Sequence, residues 1–151
     1  MHVKPSEVMD LIGKPIGQSD WISVEQERVN LFADVTEDHQ FIHVNPEAAK
    51  MTPFGGPIAH GFLSLSLLSK FAEKGALTLE GVVMGVNYGF EKVRFLAPVK
   101  VGKKVRGNFM LKDVVEKNPG QFLITYAVSA EIEGEEKPAF IADWLVMQMV
   151  R

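Results

Sequence analysis

The chain contains no cysteine. That excludes a disulfide framework, a thiolate-ligated metal and a cysteine nucleophile. No stretch approaches the roughly 18 uninterrupted apolar residues of a membrane span. The opening residues, Met1-His2-Val3-Lys4-Pro5-Ser6-Glu7, lack the apolar core of a secretory signal, so the cytoplasm is the expected location. Neither sign of charge dominates: 16 basic and 19 acidic residues leave −3. This argues against a nucleic-acid partner held by phosphate neutralisation. There is no internal repeat, low-complexity tract or linker. What is present is a globular composition, 46% hydrophobic and 23% charged over 151 residues. A chain of that size buries a core without a staple, and it reads as one domain, 1–151.

The first half reads as helices. Residues 5–12 suit a short helix, which Gly13, Pro15 and Gly17 break. Trp21-Ile22 starts a new packed element. Ser23 and Gln26 have the spacing of a capping box. Val24, Arg28, Leu31, Phe32 and Val35 then mark one face of an amphipathic helix ending near Thr36-Glu37-Asp38. Asn45-Pro46 starts a second, short helix, with Asn as cap and Pro in the first turn. Phe54-Gly55-Gly56-Pro57 is a loop. In the next helix, about 60–74, Phe62, Leu63, Leu65, Leu67, Leu68 and Phe71 cover the whole circumference, which predicts burial on most sides.

From about residue 81 the hydrophobic period becomes two. Val82, Met84, Val86, Tyr88 and Phe90 share one parity and Val93 and Phe95 the other, which predicts a bulge near Gly89 to Lys92. Val105, Phe109, Leu111 and Val115 mark the next strand. Asn118-Pro119-Gly120 signals a turn. Phe122, Ile124, Tyr126, Val128, Ala130 and Ile132 alternate cleanly, and the strand Phe140 to Val150 is apolar on both parities. Helices followed by hairpin-linked strands define an α+β class, with an antiparallel sheet around a central helix.

Several residues can carry chemistry. Asp38 and His43, on one loop, can both reach one water molecule: the carboxylate as a proton acceptor, the imidazole as a group that titrates near working pH. The plainer alternative is a turn cap and a satisfied surface histidine. His39 and His43, at i and i+4, raise a metal pair, but no HExxH motif or third ligand of convincing spacing accompanies them, so no metal is expected. Gly61 opens the apolar helix, where free backbone N–H groups can hold an oxyanion. It can equally serve close helix–strand packing. His60 reads as structural. Ser66 and Ser69 lie outside any Gly-x-Ser-x-Gly elbow. Lys92, Arg94, Lys103 and Lys104 form a loose basic cluster, either a phosphate contact or a solvated face.

Three blocks carry a resemblance: Phe32 to Ala49, containing Asp38-His39-Gln40-Phe41-Ile42-His43; Phe54 to Leu65, containing Ala59-His60-Gly61; and Lys92 to Val99. In order and spacing they resemble the MaoC-like dehydratases, which include the (R)-specific enoyl-CoA hydratases, and most nearly the small branch related to nodulation protein N. The resemblance implies a hot-dog fold, a long buried helix wrapped by a curved antiparallel sheet, and a homodimer with substrate at the subunit interface. It implies catalytic roles for Asp38 and His43, a backbone donor to the thioester carbonyl at Gly61, and substrate contacts from Gln40 and Ser66. The implied reaction adds water to a trans-2-enoyl-CoA to give an (R)-3-hydroxyacyl-CoA, or runs in reverse. The partner is then an acyl-CoA or acyl-carrier-protein thioester. No cofactor is expected, since CoA belongs to the substrate. A hot-dog thioesterase and a non-catalytic acyl-thioester binding module are the alternatives. The chain departs from the usual Gly-Asp-x-Asn-Pro-x-His: Glu37 stands for Gly, Gln40 for Asn and Phe41 for Pro.

Overall fold

The computed structural model describes residues 1–151. Strand β1 (His2–Val3) is followed by a single 3-10 turn over Val8–Leu11, shorter than the helix expected there, and by β2 (Pro15–Gln18). Pro15 and Gly17, read only as breakers, therefore belong to an edge strand, where Pro is tolerated, and Gly13 lies in the turn before it. After β3 (Ile22–Ser23), helix α1 runs over Gln26–Thr36.

The capping box at its start does not form. Ser23 pairs with Lys104 in the sheet, and the capping position falls to Glu25, which makes no side-chain bond. The buried face also differs from expectation. Val29 and Ala33 are buried, whereas Leu31 and Val35 are exposed, Val35 at 83%. Short helices α2 (Phe41–Val44) and α3 (Pro46–Ala49) follow, the latter capped by Asn45 Oδ1, which accepts the Ala48 N–H at 3.1 Å.

The apolar helix forms as α4 (Gly61–Ser66) and α5 (Leu68–Gly75), joined at Leu67, whose N–H is shared between the carbonyls of Leu63 and Ser64. Leu63, Leu68 and Phe71 are buried, but Phe62 is 70% exposed, so one flank faces outward in the single chain. At its far end α5 lies directly on the sheet: a Cβ on Gly75 would come within 2.4 Å of the Phe109 ring.

Strand β4 (Thr78–Leu79) pairs with β1 in parallel. The long strands β5 (Val82–Phe95), β6 (Lys104–Asn118), β7 (Gln121–Ile132) and β8 (Phe140–Val150) complete an antiparallel sheet in the order β2-β6-β7-β8-β5, with β3 also on β6. The expected bulge is present: the β5 register against β8 shifts between Asn87 and Gly89 and again between Phe90 and Lys92. A second shift on β6, between Leu111 and Asp113, puts Val114 in the core and leaves Val115 exposed, contrary to the simple parity reading. The alternating residues of β7 are all buried, as their period requires. Gln148 on β8 ties the link after α5 to the sheet: its Oε1 accepts the Leu79 N–H at 2.9 Å and its Nε2 donates to Leu77 O at 3.0 Å.

Candidate active site

The site starts where α1 stops. Glu37, at the helix end, has φ 60°, the left-handed region that glycine enters freely. Glutamate pays about 1 kcal/mol or more to stand there. The turn releases Asp38 from the helix, and Asp38 Oδ1 accepts the Gln40 N–H at 3.3 Å. Phe41 takes the first position of α2, the position that proline fits best.

Helix α2 carries His43 inward, and three bonds hold it. Gln26 Nε2 on α1 donates to His43 O at 2.8 Å. Ile58 N–H donates to Ile42 O at 3.0 Å. His43 Nδ1 lies 2.7 Å from Ile58 O, and since a carbonyl only accepts, Nδ1 carries the proton. Nε2 is then the free, basic nitrogen.

The backbone bends at Ile58-Ala59 to bring His60 back over His43. The two imidazoles stack at 3.9 Å between centroids, and Phe32 of α1 packs on the other ring at 5.0 Å. His60 Nε2 donates to the backbone O of Asp38 at 3.0 Å and lies 4.0 Å from Asp38 Oδ2. One carboxylate oxygen of Asp38 and one nitrogen each of His43 and His60 fall within 4.8 Å of one another. The histidines are buried, while the Asp38 side chain is 52% exposed. A divalent cation would have to displace the bond from His60 Nε2 to Asp38 O, because the other nitrogen of that ring is sealed from solvent.

A pocket of about 290 Å³ lies beside this group, lined by His43, Ala59, Gly61, Ser64 and the segment Phe95 to Val99. Gly61 opens α4, so its N–H has no carbonyl one turn back to bond. Its lack of a side chain also serves packing: a Cβ there would come within 3.0 Å of the Phe95 ring. Both sequence readings of Gly61 thus have a structural counterpart.

The structure brings Asp38, His43 and Gly61 to one region and leaves Ser66 outside it. Ser66 Oγ donates to Phe62 O at 2.7 Å and lines a separate hollow with Arg28, Leu31 and Val35. The serine that faces the pocket is Ser64, 4% exposed. The resemblance implied Ser66; two residues apart on a helix, Ser64 and Ser66 face nearly opposite sides, and it is Ser64 that meets the pocket. Gln40 is exposed beside Asp38, and its backbone O accepts the His43 N–H. His39 turns away to Asp34, 2.8 Å from Oδ1, and does not pair with His43. A larger hollow of about 700 Å³ spans β2, β6, β7 and β8 and includes none of these residues.

Burial pushes the His43 pKa below its usual 6.5, with the neighbouring His60 adding to the shift, while the bond to Ile58 O and the charge of Asp38 oppose it. His43 is therefore neutral at pH 7 and its Nε2 can accept a proton. The unfolded chain protonates this histidine near pH 6.5, before the folded chain does. Stability from this group is thus present above pH 6.5 and falls as the pH drops through that value. The limb of an activity profile that reports His43 should lie on the acid side of pH 6.5. A limb above pH 7 assigned to His43 by NMR titration would contradict the burial account.

The antiparallel sheet packed on the apolar helix that opens at Gly61 defines a hot-dog fold. The chain belongs to the MaoC-like family: the MaoC like domain matches residues 7–133. It is 48% identical to nodulation protein N of Rhizobium leguminosarum bv. viciae over 143 residues, 94% of this chain and 89% of that protein. It is 48% identical over 134 residues to 3-hydroxyacyl-thioester dehydratase Z of Mycobacterium tuberculosis, covering 89% and 88%. Among solved structures, the (R)-hydratase from A. caviae involved in PHA biosynthesis superposes with a TM-score of 0.71 at 25% identity, covering 87% of this chain and 94% of that one. No helix is long and apolar enough to cross a membrane.

Proposed function

We propose that the protein is an (R)-specific enoyl-thioester hydratase, adding water across a trans-2-enoyl-CoA or removing it from the (R)-3-hydroxyacyl thioester. The observation that carries the reading is the pairing of a half-exposed carboxylate, Asp38, with a buried neutral imidazole, His43, whose proton is fixed on Nδ1. The two hold one water between them. Asp38 is the base that takes its proton as the oxygen attacks the β-carbon, and the pair returns a proton to the α-carbon on the same face. Charge moves to the thioester oxygen as an enolate. The Gly61 N–H at the helix start is the donor assigned to this charge, a contribution worth about 10² to 10³ in rate for one such donor. Addition of water is redox-neutral, so the chemistry calls for no cofactor. The family membership and a relative named as a 3-hydroxyacyl-thioester dehydratase support the reaction class.

The reading extends to a homodimer, with the acyl chain entering near the interface. β5 is a sheet edge, and it exposes Val83, Met84, Val86, Tyr88 and Phe90, more apolar surface than an edge strand carries unpaired. Light scattering should give twice the chain mass at micromolar concentration. A monomer throughout that range would remove the dimer from the reading. A cytoplasmic location belongs to the same proposal.

The test follows loss of the conjugated enoyl-thioester absorbance on short trans-2-enoyl-CoA substrates, with free thiol assayed in the same tube. Absorbance loss without thiol supports the hydratase. Thiol release indicates a thioesterase on the same scaffold. Silence on CoA and carrier-protein thioesters of several lengths indicates a binding module and overturns the proposal.

A further inference from the structure

We propose that His60 is a positioning residue, whose Nε2–H holds the Asp38 backbone so that the Asp38 carboxylate faces His43. The inference deepens the hydratase reading and rests on it. Its basis is an imbalance in how the ring is satisfied. His60 is 3% exposed, yet only one of its nitrogens is bonded: Nε2 donates to Asp38 O at 3.0 Å, and Nδ1 is buried with no partner. An orphaned buried acceptor costs stability. A phenylalanine would fill the same space against Phe32 and His43 without that cost. What the imidazole adds is a donor directed at the one residue of the turn that carries the carboxylate.

The turn needs such a donor. Asp38 follows a residue in the left-handed region, and its side chain is half exposed. Without the His60 bond it keeps only a 3.3 Å contact from the Gln40 N–H to Oδ1. His43, by contrast, is fixed independently through Ile58 O and Gln26. His60 therefore links a loosely held acid to a firmly held imidazole. It sits next to Gly61 in the chain, so the acid, the imidazole and the helix start share one anchor. Since the Asp38 carbonyl only accepts, Nε2 of His60 carries the proton in this bond.

Two variants separate the donor from the ring. His60→Phe keeps a ring and removes the donor. His60→Gln places an amide N–H near the position of Nε2 and removes the ring. The expected result is a kcat lowered about 10²-fold in His60→Phe with KM little changed, as for a misplaced catalytic group. His60→Gln should stay within about fivefold of wild type. Wild-type turnover in His60→Phe overturns the proposal, and so does a His60→Gln variant as poor as His60→Phe. If circular dichroism shows that His60→Phe does not fold, His60→Gln decides alone: near-wild-type kcat supports the proposal and the larger loss overturns it. Amide exchange at Gln40 and His43 gives a readout without substrate. Faster exchange at Gln40 in His60→Phe than in His60→Gln supports the positioning role, and equal exchange overturns it. If the wild type itself turns over no enoyl thioester, the hydratase reading fails on its own and the exchange result still decides the role of His60.

Discussion

On the proposed hydratase reading, Asp38→Asn is expected to lower hydration of a short trans-2-enoyl-CoA by about 10²- to 10⁴-fold, the range for losing a positioned general base, with the fold unchanged. The fold is spared because the side chain is 52% exposed and makes one internal bond, an acceptance at Oδ1 that an amide oxygen can also provide. The backbone carbonyl that receives the His60 donor is untouched. Catalysis is not spared, because an amide cannot take a proton from water at neutral pH. His43 Nδ1 is tied to Ile58 O, which leaves its Nε2 as a free basic nitrogen, while the unpartnered Nδ1 of His60 is sealed in the interior. The comparison is made by enoyl absorbance at saturating substrate, with thermal melting of both proteins alongside. Turnover within a few-fold of wild type in a folded Asp38→Asn would remove Asp38 from the role of base and leave His43 as the group to test.

Phe71→Ala is expected to cost about 3–5 kcal/mol, the range for truncating a buried aromatic ring. Set against a total stability of about 5–15 kcal/mol for a domain, that is the largest single loss anticipated in the fold. Phe71 has no exposed surface and lies on α5 where the helix meets β6. The neighbours cannot close the gap cheaply. The missing Cβ of Gly107 would already lie 2.9 Å from the Phe71 side chain, and that of Gly75 2.4 Å from Phe109. Sheet backbone at Gly107 already abuts the Phe71 side chain and α5 backbone at Gly75 abuts the neighbouring Phe109 ring, so the layers cannot close over the gap and a cavity stays open. Urea denaturation read as ΔG in water checks this, with an exposed-site control such as Val35→Ala. A loss below about 1 kcal/mol would mean that α5 re-seats on the sheet and that the contact is softer than its geometry.

The acid–imidazole pair was legible in the sequence because it is local. Asp38 and His43 are separated by one turn of chain, and Asn45-Pro46 marks the end of the segment that holds them. His60 was read as structural because its partner, Asp38 O, is a backbone atom 22 residues away. No side-chain pattern encodes such a bond. The resemblance pointed to Ser66, whereas Ser64 is the serine that lines the pocket. On a helix apolar all round, the sequence does not say which flank meets the pocket, and the Phe95 ring over Gly61 sets that orientation. The misassigned face of α1 has the same origin. Leu31 and Val35 fit a helical stripe as well as Val29 and Ala33 do, and only packing against the rest of the chain buries the second pair.

By itself the sequence determined the α+β class, the bulge in β5, the turn at Pro119-Gly120 and the clean alternation of β7. Each of these rests on residues within a few positions of one another, where backbone preference and hydrophobic period act directly. The tertiary structure alone decided the chemistry of the site. It buries His43 and so keeps it neutral, it fixes its proton on Nδ1 through Ile58 O, and it stacks His60 between His43 and Phe32. Desolvation, tautomer and ring contact depend on atoms that only folding brings together, so no local pattern of residue types specifies them.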